Sequence, residues 1–446
     1  MSEAVHVIGG GLAGCEAAWA LAQAGIPVLL HEMKPEKMSP AHHSPQLAEL
    51  VCSNSLKASR IDSAAGLLKE EMRRLGSLLV PCAEETAVEA GGALAVDRHA
   101  FAALVTEKIR SHPQITVLSE EVSEIPEGRV IIATGPLTSE ALHGPIAALT
   151  GKSLYFYDAA APIVTGESIS MERAFYASRY GKGGGEDYLN CPMEREEYLA
   201  FYDALIHAES AELHEFEQDA LRVYEGCMPV EVLAKRGEDA IRYGMMKPVG
   251  LTDPHTGKRP YAVVQLRREN REGTMWNLVG FQTNLKWGEQ KRVFSMIPGL
   301  EHAEFVRFGV MHRNSFLDSP KLLDATYALR TEPRIRFAGQ MTGVEGYMES
   351  AGSGILAGLN TVREMRGEAP LILPRETMLG ALTAYITDPF TENLQPMGAN
   401  MGILPMLTEK FRGKDGKQRK YQAYAERALK ALDGVLNAEC GMRNAE

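Results

Sequence analysis

The apolar positions near the N-terminus predict a strand, a helix and a second strand in close succession. Val5–Ile8 is a short apolar run of the kind that suits a parallel strand buried on both faces. The residues that follow include CEAAWALAQ, which is rich in helix formers, and Gly25 stands where such a helix would end. Residues 26–30 form a second apolar run, which ends close to Glu32. The pattern therefore predicts that the chain begins as a βαβ unit.

Two later stretches have the same character and are predicted to join the same sheet. Residues 129–136, RVIIATGP, form an apolar strand that breaks at a glycine. Residues 334–358, RIRFAGQMTGVEGYMESAGSGILAG, combine a short strand, a glycine-rich turn and a helix of small residues. We therefore predict an α/β fold in which residues 1–150 and 301–446 form a Rossmann-like domain of the glutathione-reductase type. A mixed α+β insertion domain is predicted at residues 151–300.

Two charged stretches carry helical spacing. Residues 194–219 are strongly acidic, and the spacing of Tyr198, Phe201 and Leu205 predicts an amphipathic helix or a helix pair. Residues 409–434 are basic and predict a terminal helix, with tyrosines between the cations. Such a pattern suits a solvated helix, but it can also hold phosphates and stack bases.

Composition predicts a soluble protein. The chain has 446 residues, of which 45% are hydrophobic, and this is ample for a sizeable core. We find no uninterrupted apolar run of the ~20 residues that a bilayer-spanning helix needs. The first residues enter a strand without the basic and apolar regions of a signal peptide. We expect a cytoplasmic protein with no membrane partner.

The distribution of charge changes the picture that the net charge suggests. A formal charge of -11 disfavours a nucleic-acid partner. However, residues 1–228 carry 17 Lys and Arg against 33 Asp and Glu, whereas residues 229–446 carry 30 against 25. This asymmetry is compatible with a polyanion-binding surface in the second half, and equally with a solvated acidic face in the first.

The first strand–helix turn carries a dinucleotide-binding motif. Gly9, Gly11 and Gly14 satisfy G-x-G-x-x-G, and Gly10, Leu12 and Ala13 complete the turn. The glycines let the backbone approach a pyrophosphate at the helix N-terminus, and Glu32 is placed to accept a hydrogen bond from a ribose hydroxyl. The acid also argues against a 2′-phosphate. The order of strand, glycines, helix, strand and acid makes this signal specific.

The later glycine-rich stretches predict the rest of the same site. Gly135 follows the strand within residues 129–136, and a helix start near residue 347 can hold the ribityl or pyrophosphate oxygens of FAD. No second fingerprint of this kind predicts a separate NAD(P) domain. The residues predicted to bind FAD in the last block are Gly339, Gln340, Gly343, Gly346 and Tyr347.

The six cysteines do not have the spacing of a disulfide framework or a zinc site, and no metal is expected. They are Cys15, Cys52, Cys82, Cys191, Cys227 and Cys440. Most are predicted to be inert core residues. Cys52 differs because its neighbours in VCSNSLKAS are small, polar or cationic, which is typical of a working thiolate.

Several long blocks resemble one family. VCSNSLKAS, YFYDAAAPIV, KGGGEDYLNCPM, YEGCMPVEVLAKRG, LVGFQTNLKWGEQKRVF, RFGVMHRNSFLDSP and GQMTGVEGYMESAGSG occur in order along nearly the whole chain. Together they are similar to the flavin- and folate-dependent tRNA uracil-5-methyltransferases, the TrmFO family. The chain also resembles the larger MnmG-type family, which modifies the tRNA wobble uridine, but it is too short for that family's C-terminal helical extension.

The resemblance implies a chemistry. FAD is reduced by NADH or NADPH, and a one-carbon unit passes from 5,10-methylenetetrahydrofolate, by way of the flavin, to carbon 5 of uridine 54 in the tRNA T-loop. The product is ribothymidine. Three alternatives stay open: MnmG-type wobble modification, a flavin-dependent thiol oxidoreductase with no RNA substrate, and a non-catalytic RNA-binding protein that holds FAD structurally.

Two thiols suit the chemistry that the resemblance implies. Carbon 5 of uracil is a poor nucleophile until a thiolate adds at carbon 6, and a base must later remove the carbon 5 proton. Cys227 lies between Gly226 and Pro229, which suggests a presented turn. Following the resemblance, we interpret Cys227 as the nucleophile and Cys52 as the proton-handling partner, with the reverse assignment left open.

The remaining site residues also follow from the resemblance. His312 is expected to stack on the folate pterin ring, and Asn284 and Lys286 are weaker candidates for contacts with folate or RNA. The cations expected to hold tRNA phosphates are Lys291, Arg292, Arg412, Lys417, Arg419 and Lys420.

Overall fold

The computed structural model describes residues 3–39, 41–151, 154–159, 161–181, 184–211, 228–269, 273–309, 311–391, 394, 396–413 and 415–443. The strands are β1 (Val5–Ile8), β2 (Val28–Glu32), β3 (Ser55–Ala58), β4 (Ala87–Val88), β5 (Ala93–Val96), β6 (Ile115–Ser119), β7 (Val130–Ile132), β8 (Leu154–Ala159), β9 (Ile163–Thr165), β10 (Phe175–Tyr176), β11 (Tyr188–Met193), β12 (Ala262–Arg268), β13 (Met275–Leu278), β14 (Phe305–Arg307), β15 (Met311–Phe316), β16 (Ala328–Leu329) and β17 (Glu332–Phe337). The helices are α1 (Leu12–Gln23), α2 (Ala64–Arg74), α3 (Leu79–Glu85), α4 (Arg98–Ser111), α5 (Glu140–Thr150), α6 (Arg195–Ile206), α7 (Val230–Ala234), α8 (Glu238–Tyr243), α9 (Trp287–Phe294), α10 (Ser319–Leu322), α11 (Tyr347–Met365), α12 (Met378–Thr387) and α13 (Gly416–Arg443).

The first sheet contains the strands predicted from both ends of the chain. Its order is β16-β17-β7-β1-β2-β6, in which β17, β7, β1, β2 and β6 are parallel and β16 is antiparallel. The predicted α/β fold is thus confirmed. Strand β2 begins two residues later than predicted, because the N–H of Ile26 closes the end of α1 by donating to Leu21.

Helices α1 and α11 lie against each other in unusually close contact. A Cβ on Gly354 would overlap the carbonyl oxygen of Ala13, and one on Gly358 would meet Ala17. Both helices follow parallel strands of one sheet, so their N-termini lie at the same edge. The small residues of α11 therefore place the two predicted cofactor-binding turns side by side.

The middle of the chain has a core of its own. Its sheet has the order β10-β11-β12-β13-β9-β14 with antiparallel pairs. The first part of the predicted amphipathic stretch, residues 194–219, forms α6, which buries Tyr198, Phe201 and Leu205 in this core, and residues 212–219 lie outside the described part of the chain. The division of the chain into two domains stays a prediction, and the two separate cores support it. The middle sheet extends past the predicted boundary at residue 300, because β14 pairs with β9 and Ala303 lies in the same core.

The strands on either side of the middle sheet pair with each other, and the terminal helix packs on the first domain. Strand β8, before the middle sheet, pairs antiparallel with β15, after it. The predicted terminal helix is α13, and it buries Ala428 and Leu432 in the core of the first domain. Within the described parts of the chain, no helix has the length and apolar character needed to cross a membrane.

Candidate active site

A deep cleft opens at the carboxyl ends of the parallel strands. Its empty volume is about 1130 Å³, including the part that opens to solvent. Its walls come from the β1–α1 turn, the end of β2, the segment after β7 and the start of α11. The predicted cofactor-binding residues in these walls are Gly9, Gly11, Leu12, Ala13, Glu32, Gly135, Gly339, Gln340 and Tyr347.

The glycines of the β1–α1 turn serve different purposes. Gly9 has a φ of +103°, and a Cβ there would lie 2.6 Å from the Ala133 oxygen. A Cβ on Gly14 would overlap the Gly9 oxygen, and one on Gly10 would lie 2.8 Å from a Glu32 oxygen. By contrast, a Cβ on Gly11 would meet nothing within 4 Å, because this residue faces the open cleft. Three glycines thus form the turn, and the fourth leaves space for a ligand.

The start of α1 is well suited to an anion. Gly11 is the N-cap, no side chain caps the helix, and its first turn holds no acidic residue. The N–H groups of the first turn of a helix lack partners within the helix, and together they attract negative charge. Leu12 and Ala13, which line the cleft, contribute such groups. The donors present therefore fit the pyrophosphate of a dinucleotide.

Glu32 lies at the end of β2, as predicted, and forms part of the cleft wall. One carboxylate oxygen accepts the N–H of Gly10 at 2.7 Å, and the other accepts the N–H of Lys34 at 3.0 Å. These bonds fix the side chain, and each oxygen keeps a further lone pair. The hydrogen bond to a ribose hydroxyl stays a prediction.

The opposite wall is formed by the turn before α11. Gly343 and Gly346 have φ values of +89° and +124°, and they lie behind the wall rather than in it. The buried hydroxyl of Ser353 accepts the N–H of Gly339 at 2.7 Å and so ties the turn to the helix. Gln340 donates to Glu345 at 2.9 Å. The block predicted from the sequence is therefore divided between residues that line the cleft and residues that shape its turn.

Cys52 lies at the edge of this cleft and is held by Tyr347. The phenolic oxygen of Tyr347 accepts the N–H groups of Cys52 at 2.8 Å and of Ser53 at 3.2 Å. It also lies 3.0 Å from Cys52 Sγ. Burial, together with the neighbouring thiol, raises the pKa of Tyr347 well above its ordinary value. Tyr347 therefore stays a neutral phenol beside the sulfur.

The segment that carries Cys52 is tied to the middle sheet. Arg98 donates to the carbonyl oxygen of Leu50 at 2.7 Å and forms an ion pair with Glu269 at 2.9 Å. The buried amide of Asn54 donates to the Arg268 carbonyl at 2.8 Å and accepts from Arg267.

Arg267 completes this connection. It donates at 2.9 Å to the oxygen of Asn54 and at 2.7 Å to the hydroxyl of Ser53. Burial lowers the pKa of the Arg267 guanidinium. Sequence reasoning missed Arg98 and Arg267, although two adjacent arginines in the otherwise apolar run VVQLRR could have signalled a buried polar contact.

Arg307 adds a third guanidinium to the surroundings of the thiol. It ends β14 and is half-buried, and its charge acts on Cys52, Tyr347 and Glu269. Burial and the charge of Arg98 lower its pKa. Among the described residues, no hydrogen bond or ion pair holds its guanidinium. A thiolate at Cys52 would therefore lie in the field of three guanidinium groups, and reactive cysteines commonly have cations nearby.

The other described thiols are unsuited to chemistry. Cys15, Cys82 and Cys191 are fully buried. Burial raises the pKa of Cys82 to about 11 and that of Cys191 to about 12, and it raises the pKa of Cys15 further. Their prediction as inert core residues is consistent with this burial.

Comparison with known proteins places the chain in a family. The model of the family "Glucose inhibited division protein A" matches residues 4–369. Curated relatives named "Methylenetetrahydrofolate--tRNA-(uracil-5-)-methyltransferase TrmFO" are 59% identical in Heliobacterium modesticaldum, over 97% of this chain and 98% of that protein, and 58% identical in Geobacter sulfurreducens, over 98% and 99%. The chain belongs to the TrmFO family.

A solved structure supports the fold of this TrmFO family member. Aquifex aeolicus GidA, in its form II crystal, superposes with a TM-score of 0.68 at 16% identity. The match covers 97% of this chain and 73% of that chain. The fold is therefore shared with GidA.

Two residues that the TrmFO resemblance implicates have no described side chain. Cys227 lies outside the described residues, which resume at Met228. Two residues later, the N–H of Val230 donates to the carbonyl oxygen of Gln282 at 2.7 Å. His312 pairs with Asp158 through the backbones of β15 and β8, and its side chain is likewise outside the description. Both assignments stay predictions.

Asn284, the weaker folate candidate in the TrmFO resemblance, has structural partners instead. It is buried, its amide donates to the Ala211 oxygen at 3.3 Å, and its N–H donates to Glu231 at 2.8 Å. It does not contribute to the described walls of the cleft. These contacts explain its burial without a ligand, so the structure gives no support to the folate role.

The cations predicted to hold RNA in this TrmFO chain are exposed. Lys286 pairs with Glu209 at 2.7 Å, and Arg292 pairs with Glu289 at 2.6 Å. On α13 the cations face solvent, but Tyr424 is buried and cannot stack a base. The exposed cations are Lys286, Lys291, Arg292, Arg412, Lys417, Arg419 and Lys420.

Proposed function

We propose that this protein methylates carbon 5 of a uracil in tRNA, with 5,10-methylenetetrahydrofolate as the carbon donor. The observation that carries the proposal is Cys52, which is held against Tyr347 at the edge of a dinucleotide cleft in a chain of the TrmFO family. We further propose uridine 54 of the T-loop as the target, ribothymidine as the product, and NADH or NADPH as the reductant.

The cleft residues fit FAD. Gly11 leaves open space beside the uncapped start of α1, which suits the pyrophosphate, and Glu32 stands at the ribose end. Gly135 and Gly339 also line the cleft, and Tyr347 lies where the cleft approaches Cys52. When bound, FAD supplies the reducing equivalents and relays the one-carbon unit.

Two thiols activate and release the uracil. The thiolate of Cys227 adds to carbon 6, the electron pair of the 5,6 double bond moves to carbon 5, and carbon 5 forms the new bond to carbon. A base removes the proton from carbon 5, and the electron pair of that bond expels the nitrogen that carried the one-carbon unit, which leaves an exocyclic methylene on the ring. A hydride, which reduced FAD would supply, adds to this methylene to give the methyl group, and the double bond between carbons 5 and 6 re-forms as the Cys227 thiolate leaves. We assign the proton transfer to Cys52.

The surroundings of Cys52 suit this role. Arg98 and Arg307 favour the anionic sulfur that accepts a proton, and Tyr347 can donate its hydroxyl proton toward that sulfur. Arg267 and Asn54 hold the segment against the middle sheet, which limits the movement of the thiol. Positioning of this kind contributes directly to rate.

The alternatives fit the structure less well. A thiol oxidoreductase usually pairs two nearby cysteines, whereas the other described cysteines are buried. MnmG-type modification is disfavoured because the relatives at 56–60% identity carry the TrmFO name, and the match covers 98–99% of their length.

The function is tested by reconstitution. The FAD-loaded protein is incubated with NADH or NADPH, 5,10-methylenetetrahydrofolate and a tRNA transcript that lacks modifications. Digestion and mass spectrometry should find ribothymidine, and mapping should place it at position 54. Absence of ribothymidine with both reductants would contradict the proposal.

The thiol roles are tested with tRNA that contains 5-fluorouridine. Since fluorine cannot leave as a proton does, the enzyme should remain covalently attached. Cys227→Ala should abolish the adduct, whereas Cys52→Ala should keep it, and Cys191→Ala serves as a matched control at a buried thiol. An adduct that survives in Cys227→Ala would reverse the assignment.

A further inference from the structure

Three aromatic rings form a continuous column on the middle domain. Phe305 stacks on Phe308 with centroids 5.2 Å apart and planes 12° apart. Phe308 stacks on Trp287 with centroids 5.7 Å apart and planes 13° apart. Trp287, the first residue of α9, is 63% exposed. The column thus runs from the domain to the solvent and ends in an exposed indole.

The column is held rigidly at its base. Phe305 packs against the core of the middle domain. The fully buried side chain of Gln290, one turn after Trp287, accepts the N–H of Gly309 and donates to its carbonyl oxygen, both at 2.8 Å. Since Gly309 follows Phe308, this pair of bonds fixes α9 relative to the strand that carries the rings.

An exposed tryptophan on so ordered a support needs an explanation. Burial of an indole contributes strongly to stability, and yet this side chain is left largely in water. The buried amide of Gln290 bonds the backbone next to Phe308 and so holds α9, which carries Trp287, beside that ring. This arrangement offers a flat aromatic surface on which another planar ring can stack.

The charge around the column favours an anionic partner. The segments 284–292 and 305–309 contain four cations, of which Lys286 pairs with Glu209 and Arg292 with Glu289, while Lys291 and Arg307 remain. Among the described residues, the exposed Lys291 has no carboxylate partner. Lys291 follows Trp287 by four residues, so both lie on the same side of α9.

The column is adjacent along the chain to a residue whose charge reaches the proposed reaction site. Phe308 directly follows Arg307, whose charge acts on Cys52 and Tyr347. A strand of RNA whose target uracil reaches Cys52 would therefore pass close to Trp287. A loop that presents one base for reaction leaves its neighbours unpaired and able to stack.

We propose that Trp287, supported by Phe308 and Phe305, stacks an unpaired base of the RNA loop that carries the target uracil. The inference rests on the proposed function and names a contact for its substrate. Lys291 binds a phosphate beside the stacked base. Stacking on this platform fixes which base of the loop is unpaired, and so which uracil is presented to the thiol.

A small-molecule ring fits this position less well. Sites for small molecules enclose most of their ligand, whereas the exposed indole offers one face at the surface. The described walls of the cleft do not include Trp287, Phe305 or Phe308. A base held within a polynucleotide needs only one stacking face, because the phosphates on either side hold it as well.

The test compares Trp287→Ala with Trp287→Phe in the full-length, FAD-loaded protein. The dissociation constant for a modification-free tRNA transcript should rise about 5- to 150-fold in Trp287→Ala, the loss that corresponds to about 1–3 kcal/mol of base stacking. Trp287→Phe should keep most of the affinity. In a hairpin with 2-aminopurine at the loop adenosines, fluorescence quenching should appear with the wild type and vanish with Trp287→Ala.

A matched control is Tyr243→Ala, which removes an aromatic ring of the same domain that is 68% exposed. It should bind tRNA like the wild type. Melting temperature and FAD content should be unchanged in all three variants, because Trp287 lies at the surface.

The outcomes separate the two proposals. If the wild type forms ribothymidine while Trp287→Ala binds and methylates tRNA equally well, the stacking proposal is wrong and the function stands. A raised KM for folate or a loss of FAD, with unchanged tRNA affinity, would likewise overturn it in favour of a small-molecule role. If the wild type forms no ribothymidine, the proposed function itself fails.

Discussion

At the scale of single residues, the Tyr347 hydroxyl links the cleft to the thiol. It accepts two backbone N–H groups from the segment that carries Cys52 and touches the sulfur. Its removal leaves two backbone donors without this acceptor and takes away a polar neighbour that lies 3.0 Å from the sulfur. The role is one of positioning as much as of proton transfer.

Tyr347→Phe should therefore lower the rate of ribothymidine formation about 10- to 100-fold, the loss expected for one strong hydrogen bond. The effect should fall on kcat, while FAD content stays near the wild-type value because the ring remains. Initial rates at saturating tRNA measure it. The control is Tyr421→Phe, at a half-buried tyrosine of α13. An equal loss of rate in that variant would show that the effect is not specific to the Tyr347 hydroxyl.

Sequence reasoning found Cys52 but missed its surroundings for a physical reason. The polar neighbours of Cys52 are adjacent in the chain, so a reader of the sequence can see them. Arg267 is 213 residues from Asn54, and only the folded structure brings the two together. Composition cannot reveal a contact of this kind.

At the scale of elements, the contact between α1 and α11 depends on the absence of side chains. The backbone of α11 approaches α1 at Gly354, where a methyl group would overlap the oxygen of Ala13. The N-termini of these helices form facing walls of the cleft. A change in the distance between them therefore acts on cofactor binding and on stability together.

Gly354→Ala should lower the free energy of unfolding by about 1–3 kcal/mol, because the added methyl group forces the helices apart. FAD should be lost more easily, which absorbance of the purified protein and thermal denaturation can both measure. The control is Gly434→Ala in α13, where a Cβ meets nothing within 4 Å. That change should stabilise the helix by about 0.5–1 kcal/mol, and a loss there would show that the contact is not the cause.

A buried carboxyl joins two other helices. Glu71, in α2, accepts the N–H groups of Met378 at 2.7 Å and Leu379 at 2.9 Å, at the start of α12. Burial raises the pKa of Glu71 to about 8, although the two donors lower it. Between pH 4.5 and 8 the unfolded chain has released this proton and the folded chain has kept it. The free energy of unfolding should therefore fall as pH rises through this interval.

Glu71→Gln should remove this contribution, which amounts to at most about 1.4 kcal/mol per pH unit. Urea unfolding at pH 5.5, 6.5 and 7.5 should show a flatter profile for the variant than for the wild type. Glu70→Gln, at the neighbouring half-buried ion pair with Arg74, should keep the wild-type slope. Parallel profiles for Glu71→Gln and the wild type would contradict the prediction.

The elements that sequence predicted best are those specified locally. The β1–α1–β2 unit follows from an apolar run, glycines at fixed positions and helix formers in sequence. The order of strands in the middle sheet was not predicted, because antiparallel pairing between distant segments leaves no local pattern. The small residues of α11 were visible, but their partner α1 was not.

At the scale of the whole molecule, charge is divided between acidic and basic regions. The net charge of -11 hides exposed cations on α9 and α13. Long-range repulsion between an acidic protein and RNA is screened by salt, whereas cations in contact with phosphates lose affinity as salt rises. The salt dependence of binding therefore reports the contacts rather than the total charge.

Replacing Lys417, Arg419 and Lys420 by Gln should reduce the slope of log affinity against log salt by about 2–3, close to one for each lost phosphate contact. Filter binding of tRNA at about 50 to 200 mM salt measures this slope. A variant with the same charge loss at the exposed Arg110, Lys321 and Arg375 is the control. Equal slopes in both variants would exclude α13 from the RNA surface.

The parallel sheet is completed by a strand that is synthesised late. The edge of β7 pairs with β17, which lies some 200 residues further along the chain. At ribosomal speeds of about 5–20 residues per second, that edge waits roughly 10–40 s for its neighbour. During this interval one edge of β7 is unpaired and only part of the nucleotide site has formed. Flavin can therefore bind only near the end of translation.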